Sequence, residues 1–147
     1  MRIVFLTHLF STLFMVGVIW FAQVVHYPLL ARVGEEAFAG YERENTRLTG
    51  WVVIPAMAVE LITAVLLLWR QPDGLLPFCA WLNAVLLAVI WVSTFTLQGP
   101  CHHLLVKKFD PALWRSLVRT NWIRTAAWTA RGILLFLALG EVWAKGG

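Results

Sequence analysis

The stretch Ile3–Ala31, IVFLTHLFSTLFMVGVIWFAQVVHYPLLA, contains no Asp, Glu, Lys or Arg. A second charge-free stretch runs from Gly74 to Val106. Each exceeds the roughly 20 residues that an α-helix needs to cross a hydrocarbon layer of about 30 Å. The composition agrees: 60% of the 147 residues are hydrophobic and only 14% are charged, with a mean hydropathy of +0.73. A soluble domain of this size carries about 25% charged residues and cannot hide so much apolar surface. Disorder, a coiled coil and a disulfide scaffold are excluded on the same grounds, leaving a single integral membrane domain over residues 1–147. The net charge of +4 does not point to nucleic acid, because its cations are embedded in apolar helices rather than arrayed on a basic face.

Hydropathy predicts an all-α bundle of four membrane spans, about 3–27, 49–69, 75–98 and 121–143. The first is longer than the apolar core of a secretory signal and lacks a small-x-small cleavage site before Gln23, so it reads as a retained helix. Pro28 and Gly99-Pro100 read as the ends of the first and third spans. Arg70-Gln-Pro-Asp-Gly74 is a short polar turn. Trp51, Trp69, Trp81, Trp122 and Trp143 fall near span ends, as an interfacial aromatic belt requires. Cys79 and Cys101 lie at opposite ends of one predicted helix, too far apart to pair within the chain.

Residues 31–48 and 99–120 are long connections on one membrane side. Both look helical, predicting two amphipathic caps over the bundle: Phe38, Tyr41, Asn45 and Leu48 share a face, and Asp110-Pro111 is a helix start. That side carries Arg32, Arg43, Arg47, Lys107, Lys108, Arg115 and Arg119, against Arg2, Arg70 and Lys145 on the other. Seven against three places the long segments in the cytoplasm.

Glu60 and Arg131 each lie nine residues after a Trp that opens a span, Trp51 and Trp122. Opposite charges at equal depth in lipid should meet, since isolated ones are expensive; a Glu60–Arg131 ion pair is expected. Leu117, Asn121, Arg124, Trp128 and Arg131 recur every three or four residues as one stripe, which must face the bundle interior. Arg124 could instead snorkel to the interface.

Odd spans end where even ones begin, so Gln23, His26, Gln98, His102, Asn121 and Arg124 converge at one mouth, with Tyr41, Glu42 and Asn45 above them. The echo between Gln23…His26-Tyr-Pro28 and Gln98-Gly-Pro100-Cys-His102 hints at a duplicated hairpin. His8, alone near the far end of the first span, reads as interfacial or capping. Several chemistries could use the mouth. His26 and His102 could bind a divalent metal with Glu42, or serve as axial ligands of a haem. A His could equally accept a proton while Arg124 steadies a developing oxyanion. Plain hydrogen bonding at wet helix ends is the bland alternative.

The strings His26-Tyr27-Pro28, Tyr41-Glu42-Arg43-Glu44-Asn45, Gln98-Gly-Pro100-Cys101-His102 and Asn121-Trp122-Ile123-Arg124-Thr125…Trp128-Thr-Ala-Arg131 resemble a bacterial four-span membrane family related to anthrone-oxygenase-like proteins, over about Gln23 to Leu135. The resemblance implies a polar pocket, oxygen-dependent chemistry on aromatic substrates and a bacterial inner-membrane location. That family often has His at the position of Asn45, and the departure here weakens a metal site built on Glu42 and residue 45.

The expectation is therefore a pocket for a small hydrophobic or aromatic molecule, with oxygenase-like oxidoreductase chemistry as one use. His26, His102 and Arg124 are its catalytic candidates. Gln23, Tyr41, Glu42, Asn45, Gln98, Asn121 and Trp128 are candidates for substrate contact, and Glu60–Arg131 for the pocket floor. The rival is a non-enzymatic accessory subunit whose buried charges only lock helices. A transporter is disfavoured, because no span is broken at its middle. Expected partners are the bilayer, the small molecule, and a homo-oligomer or larger membrane complex.

Overall fold

The computed structural model describes residues 1–145, and among these there is no strand. Four helices are long and apolar enough to cross a membrane: α1 (Arg2–Leu30), α2 (Glu35–Trp69), α3 (Pro77–Leu105) and α4 (Pro111–Ala144). Each packs against its sequence neighbours and α4 closes onto α1, so α1 faces α3 and α2 faces α4 across the bundle. The five belt tryptophans all stand exposed on the outer surface.

The helices begin where local chemistry directs. Asp110 Oδ1 accepts from the backbone N–H groups of Ala112 and Leu113 at 2.7 and 3.2 Å, and Pro111, whose missing N–H costs nothing there, opens α4. Glu35 and Glu36 occupy the first turn of α2, where negative charge complements the helix dipole. Gly74 turns the chain between α2 and α3 at φ +88°. A Cβ there would collide with the backbone carbonyl of Glu141.

Two helix ends lie beyond their expected positions. α1 does not stop at Pro28 and α3 does not stop at Gly99-Pro100. Each passes its proline through one wide turn, Ala22–His26 and Thr94–Gln98. In both, the residue just before the proline donates five residues back: Tyr27 N–H to Ala22 O, and Gly99 N–H to Thr94 O. The widened turn accommodates the proline that would otherwise clash with the preceding carbonyl. A membrane span has strong reason to continue, since lipid offers no partner for freed backbone groups.

Residues 31–48 and 99–120 are helical over most of their length, as expected, but they extend the spans rather than form separate helices. On α2 the buried residues of this extension are Phe38 and Glu42, while Tyr41 and Leu48 are exposed. The inward edge is thus turned by one residue from the expected Phe38–Tyr41–Asn45–Leu48 face. A helix continuous with the span has to hold the register that buries Met57 and Glu60.

The interior alternates apolar and polar layers. Phe5, Leu67 and Leu135 pack at the far end, Met15, Ile90 and Trp128 in the middle, and Tyr27, Phe38 and Leu117 at the mouth. A polar layer lies in each gap. Apolar contact alone does not distinguish a helix neighbour from lipid, so hydrogen bonds across helices add specificity to the packing.

Candidate functional site

The deeper polar layer is an ion pair with its hydrogen-bonded supports. Arg131 Nη1 lies 2.8 Å from Glu60 Oε1, across the bundle from α4 to α2, and both side chains are fully buried. Trp128 Nε1 donates to Glu60 Oε2 at 3.1 Å. Arg131 also donates to Thr12 and Asn83 at 3.3 Å each. His8 joins this layer and is not interfacial: its ring bridges Thr63 Oγ1 at 2.7 Å and Asn83 Oδ1 at 2.9 Å. Its signal was its spacing, because Phe5, His8, Thr12, Met15 and Ile19 form the buried stripe of α1.

The upper polar layer ties three helices together. Gln23 Nε2 donates to Val118 O at 3.1 Å and its Oε1 accepts from Asn121 Nδ2 at 2.8 Å. Gln98 repeats the motif on α3, accepting from Ser93 at 3.0 Å and donating to Thr120 at 3.1 Å. The two glutamines of the sequence echo thus hold α4 from α1 and from α3, each from within its wide turn.

Arg124 projects inward, not toward the interface, and is 8% exposed. Its Nε and Nη2 donate to Asn121 Oδ1 at 2.9 and 2.5 Å, its Nη2 to Tyr27 Oη at 3.2 Å and its Nη1 to Thr94 Oγ1 at 3.3 Å. Four of the five guanidinium donors are thereby used. No carboxylate pairs with it among the described residues.

Next to it stands a carboxylate–imidazole pair. His102 Nδ1 is 2.5 Å from Glu42 Oε1, and Asn45 steadies the carboxylate by donating to Oε2 at 3.0 Å. With Nδ1–H directed at Glu42, Nε2 is the basic nitrogen. Among the described residues its partner is the Tyr27 hydroxyl at 3.4 Å, a loose contact that leaves this nitrogen open to accept a proton. Tyr27 therefore links Arg124 to His102, a role not assigned to it from sequence although it stood inside one of the quoted strings.

These groups border a cavity of about 470 Å³ whose lining includes His26, Asn45, Gln98, His102, Arg124 and Trp128. Gln23, Glu42 and Asn121 do not line it; they are buried behind the wall, bonded to groups on it or to neighbouring helices. Tyr41 is excluded from the site because it lies on the outer side of α2, 44% exposed. Most of the lining is apolar, its fixed cations are Arg124 and Lys107, and it contains no carboxylate. The Nε2 of His26, also in this wall, is buried without a hydrogen-bond partner among the described residues.

A resident metal or haem fits this donor set poorly. No group of three His, Cys, Asp or Glu converges among the described residues, whereas a catalytic zinc ion takes three protein ligands. Residue 45, which could have completed such a set, is an amide occupied with Glu42. A haem held by two imidazoles would have to draw His102 away from Tyr27 and Glu42. No protein-family model, curated protein or solved structure matches the chain.

Proposed function

We propose that the chain binds a small, largely apolar or aromatic molecule bearing one anionic or enolisable oxygen, with that oxygen at Arg124. The observation that carries this reading is a buried guanidinium, without a carboxylate partner among the described residues, in the wall of a cavity whose lining contains no carboxylate. An uncompensated cation inside a membrane bundle is costly, and a ligand oxygen would satisfy its remaining donor. Tyr27 would share that oxygen, and His102, oriented by Glu42, would take a proton from an adjacent carbon or hydroxyl. The reaction class we propose is oxygenase-like: deprotonation to an aromatic enolate, then oxidation by dioxygen. For anthrone, one dioxygen yields anthraquinone and one water, and atoms and electrons balance without a further reductant. We further propose a bacterial inner-membrane location, supported by the family resemblance, with the cavity mouth toward the cytoplasm, supported by the Lys and Arg count.

The test uses protein in nanodiscs titrated with 1-naphthoate, read by tryptophan fluorescence. A charged hydrogen bond contributes about 1.5–3 kcal/mol, so Arg124→Gln should weaken binding about 10- to 100-fold. His102→Ala should bind naphthoate nearly as wild type, yet abolish oxygen uptake with anthrone. Equal naphthoate affinity in wild type and Arg124→Gln would refute the binding reading. The buried charges would then be helix ties, and the accessory-subunit reading would stand.

A further inference from the structure

Beside the cavity, on the lipid-facing side of the α1–α2 seam, runs an apolar groove of about 580 Å³. The groove and the cavity share Val18, Ala22, His26, Thr49 and Val53. These residues border both spaces, and among them is His26, whose Nε2 has no hydrogen-bond partner among the described residues. The groove continues past them along Phe14, Gly17 and Phe21 on α1, and Leu48 and Val52 on α2. Phe14 to His26 covers about 18 Å of helix axis at 1.5 Å per residue, close to one leaflet of a hydrocarbon layer of about 30 Å. Its upper end adjoins the mouth that carries Arg124 and Lys107, and its lower end lies near the middle of α1.

Resting on the reading above, we infer that the bound molecule is a single-chain amphiphile drawn from the bilayer, its anionic or oxygenated head in the cavity at Arg124 and its chain in the α1–α2 groove. The dimensions support a chain: the cavity accepts the head, and the groove offers an apolar α1 wall about 18 Å long, faced over its upper part by Leu48–Val53 of α2. The chemistry supports it as well. Polar groups occur among the shared residues and above them, while the groove below presents only aliphatic and aromatic carbon. A molecule already dissolved in the leaflet, with its head at the interface, needs only to slide sideways between α1 and α2.

Gly17 makes the inference testable, because a Cβ built there meets no atom within 4 Å. Gly17→Trp should fill the groove without disturbing the core, and Val52→Trp fills it from the opposite wall. Wild-type protein in nanodiscs is irradiated with a palmitate carrying a mid-chain diazirine, and adducts are mapped by mass spectrometry. Adducts are expected on residues 14–21 and 52–53, reduced at least fivefold by excess palmitate and by either tryptophan variant. A diazirine hexadecanol, lacking the carboxylate, should label the groove several-fold less. Naphthoate, which reaches Arg124 by the aqueous mouth, should bind Gly17→Trp within twofold of wild type. Labelling spread evenly over the lipid-facing surface, or unchanged in both tryptophan variants, would overturn the chain site and leave naphthoate binding intact. Loss of the Arg124 dependence of naphthoate would instead sink the first reading, so the two failures are distinguishable.

Discussion

Glu60→Gln removes a buried negative charge while keeping the side-chain shape, so its cost reports the charge and not a cavity. Glu60 holds Arg131 at 2.8 Å and accepts from Trp128 at 3.1 Å. Once it is neutral, Arg131 retains Thr12 and Asn83 at 3.3 Å each, both long for charged hydrogen bonds. Breaking a fully buried ion pair from one side costs about 3–5 kcal/mol. The glutamine carbonyl can still accept from Arg131, which places the expected loss near the low end, about 3 kcal/mol, or roughly two orders of magnitude in the unfolding equilibrium. Arg131→Met should cost a similar amount, and the double variant should be less destabilised than the sum of the two by about 2 kcal/mol or more. The assay is unfolding by sodium dodecyl sulfate in mixed micelles, followed by far-ultraviolet circular dichroism and tryptophan fluorescence. A Glu60→Gln midpoint equal to wild type, or strictly additive losses in the cycle, would refute the view that this pair locks α2 to α4.

Gly74→Ala should lose about 1–3 kcal/mol in the same assay, since it combines a left-handed backbone with a Cβ driven into Glu141. Gly74→Asn, which tolerates that backbone but still carries a Cβ, should be no better; its rescue would show that φ alone matters. For orientation, in a background lacking Cys79 and Cys101, Arg70→Cys should react with a membrane-impermeant maleimide on intact cells and Lys108→Cys should not. The reverse pattern would put the cavity mouth outside.

The bundle was legible because lipid imposes two visible requirements, uncharged runs of sufficient length and an inward stripe for whatever polar groups remain. Asn121, Arg124, Trp128 and Arg131 obey the second, and their spacing alone places them inside. Glu60 and Arg131 were legible as a pair because Trp51 and Trp122 mark their depth. Local reading failed where a broader constraint overrode it. Pro28 and Pro100 signal helix ends in water, but the membrane favours carrying the helix onward through a wide turn. Tyr41 looked like part of an inward face because Phe38, Tyr41, Asn45 and Leu48 recur every three or four residues. The register of a continuous α2 buries Glu42 instead, a charge that needed His102 from α3 to make burial tolerable. Tyr27 escaped notice because its role depends on two partners from other helices, Arg124 and His102, and no spacing within α1 reveals them.

The wide turns before Pro28 and Pro100 have a geometric effect beyond tolerating proline. Each contains one surplus residue relative to a regular α-turn, so everything after it is rotated by about 100° about the helix axis. Tyr27 and His102, which touch each other in the cavity wall, both lie just past such a turn. Were α1 and α3 uniformly wound, these two rings would swing away from one another around separate axes, although every residue of the chain kept its depth to within a fraction of a turn. Where the chemistry sits is thus decided as much by how many residues each helix spends per revolution as by which residues it contains.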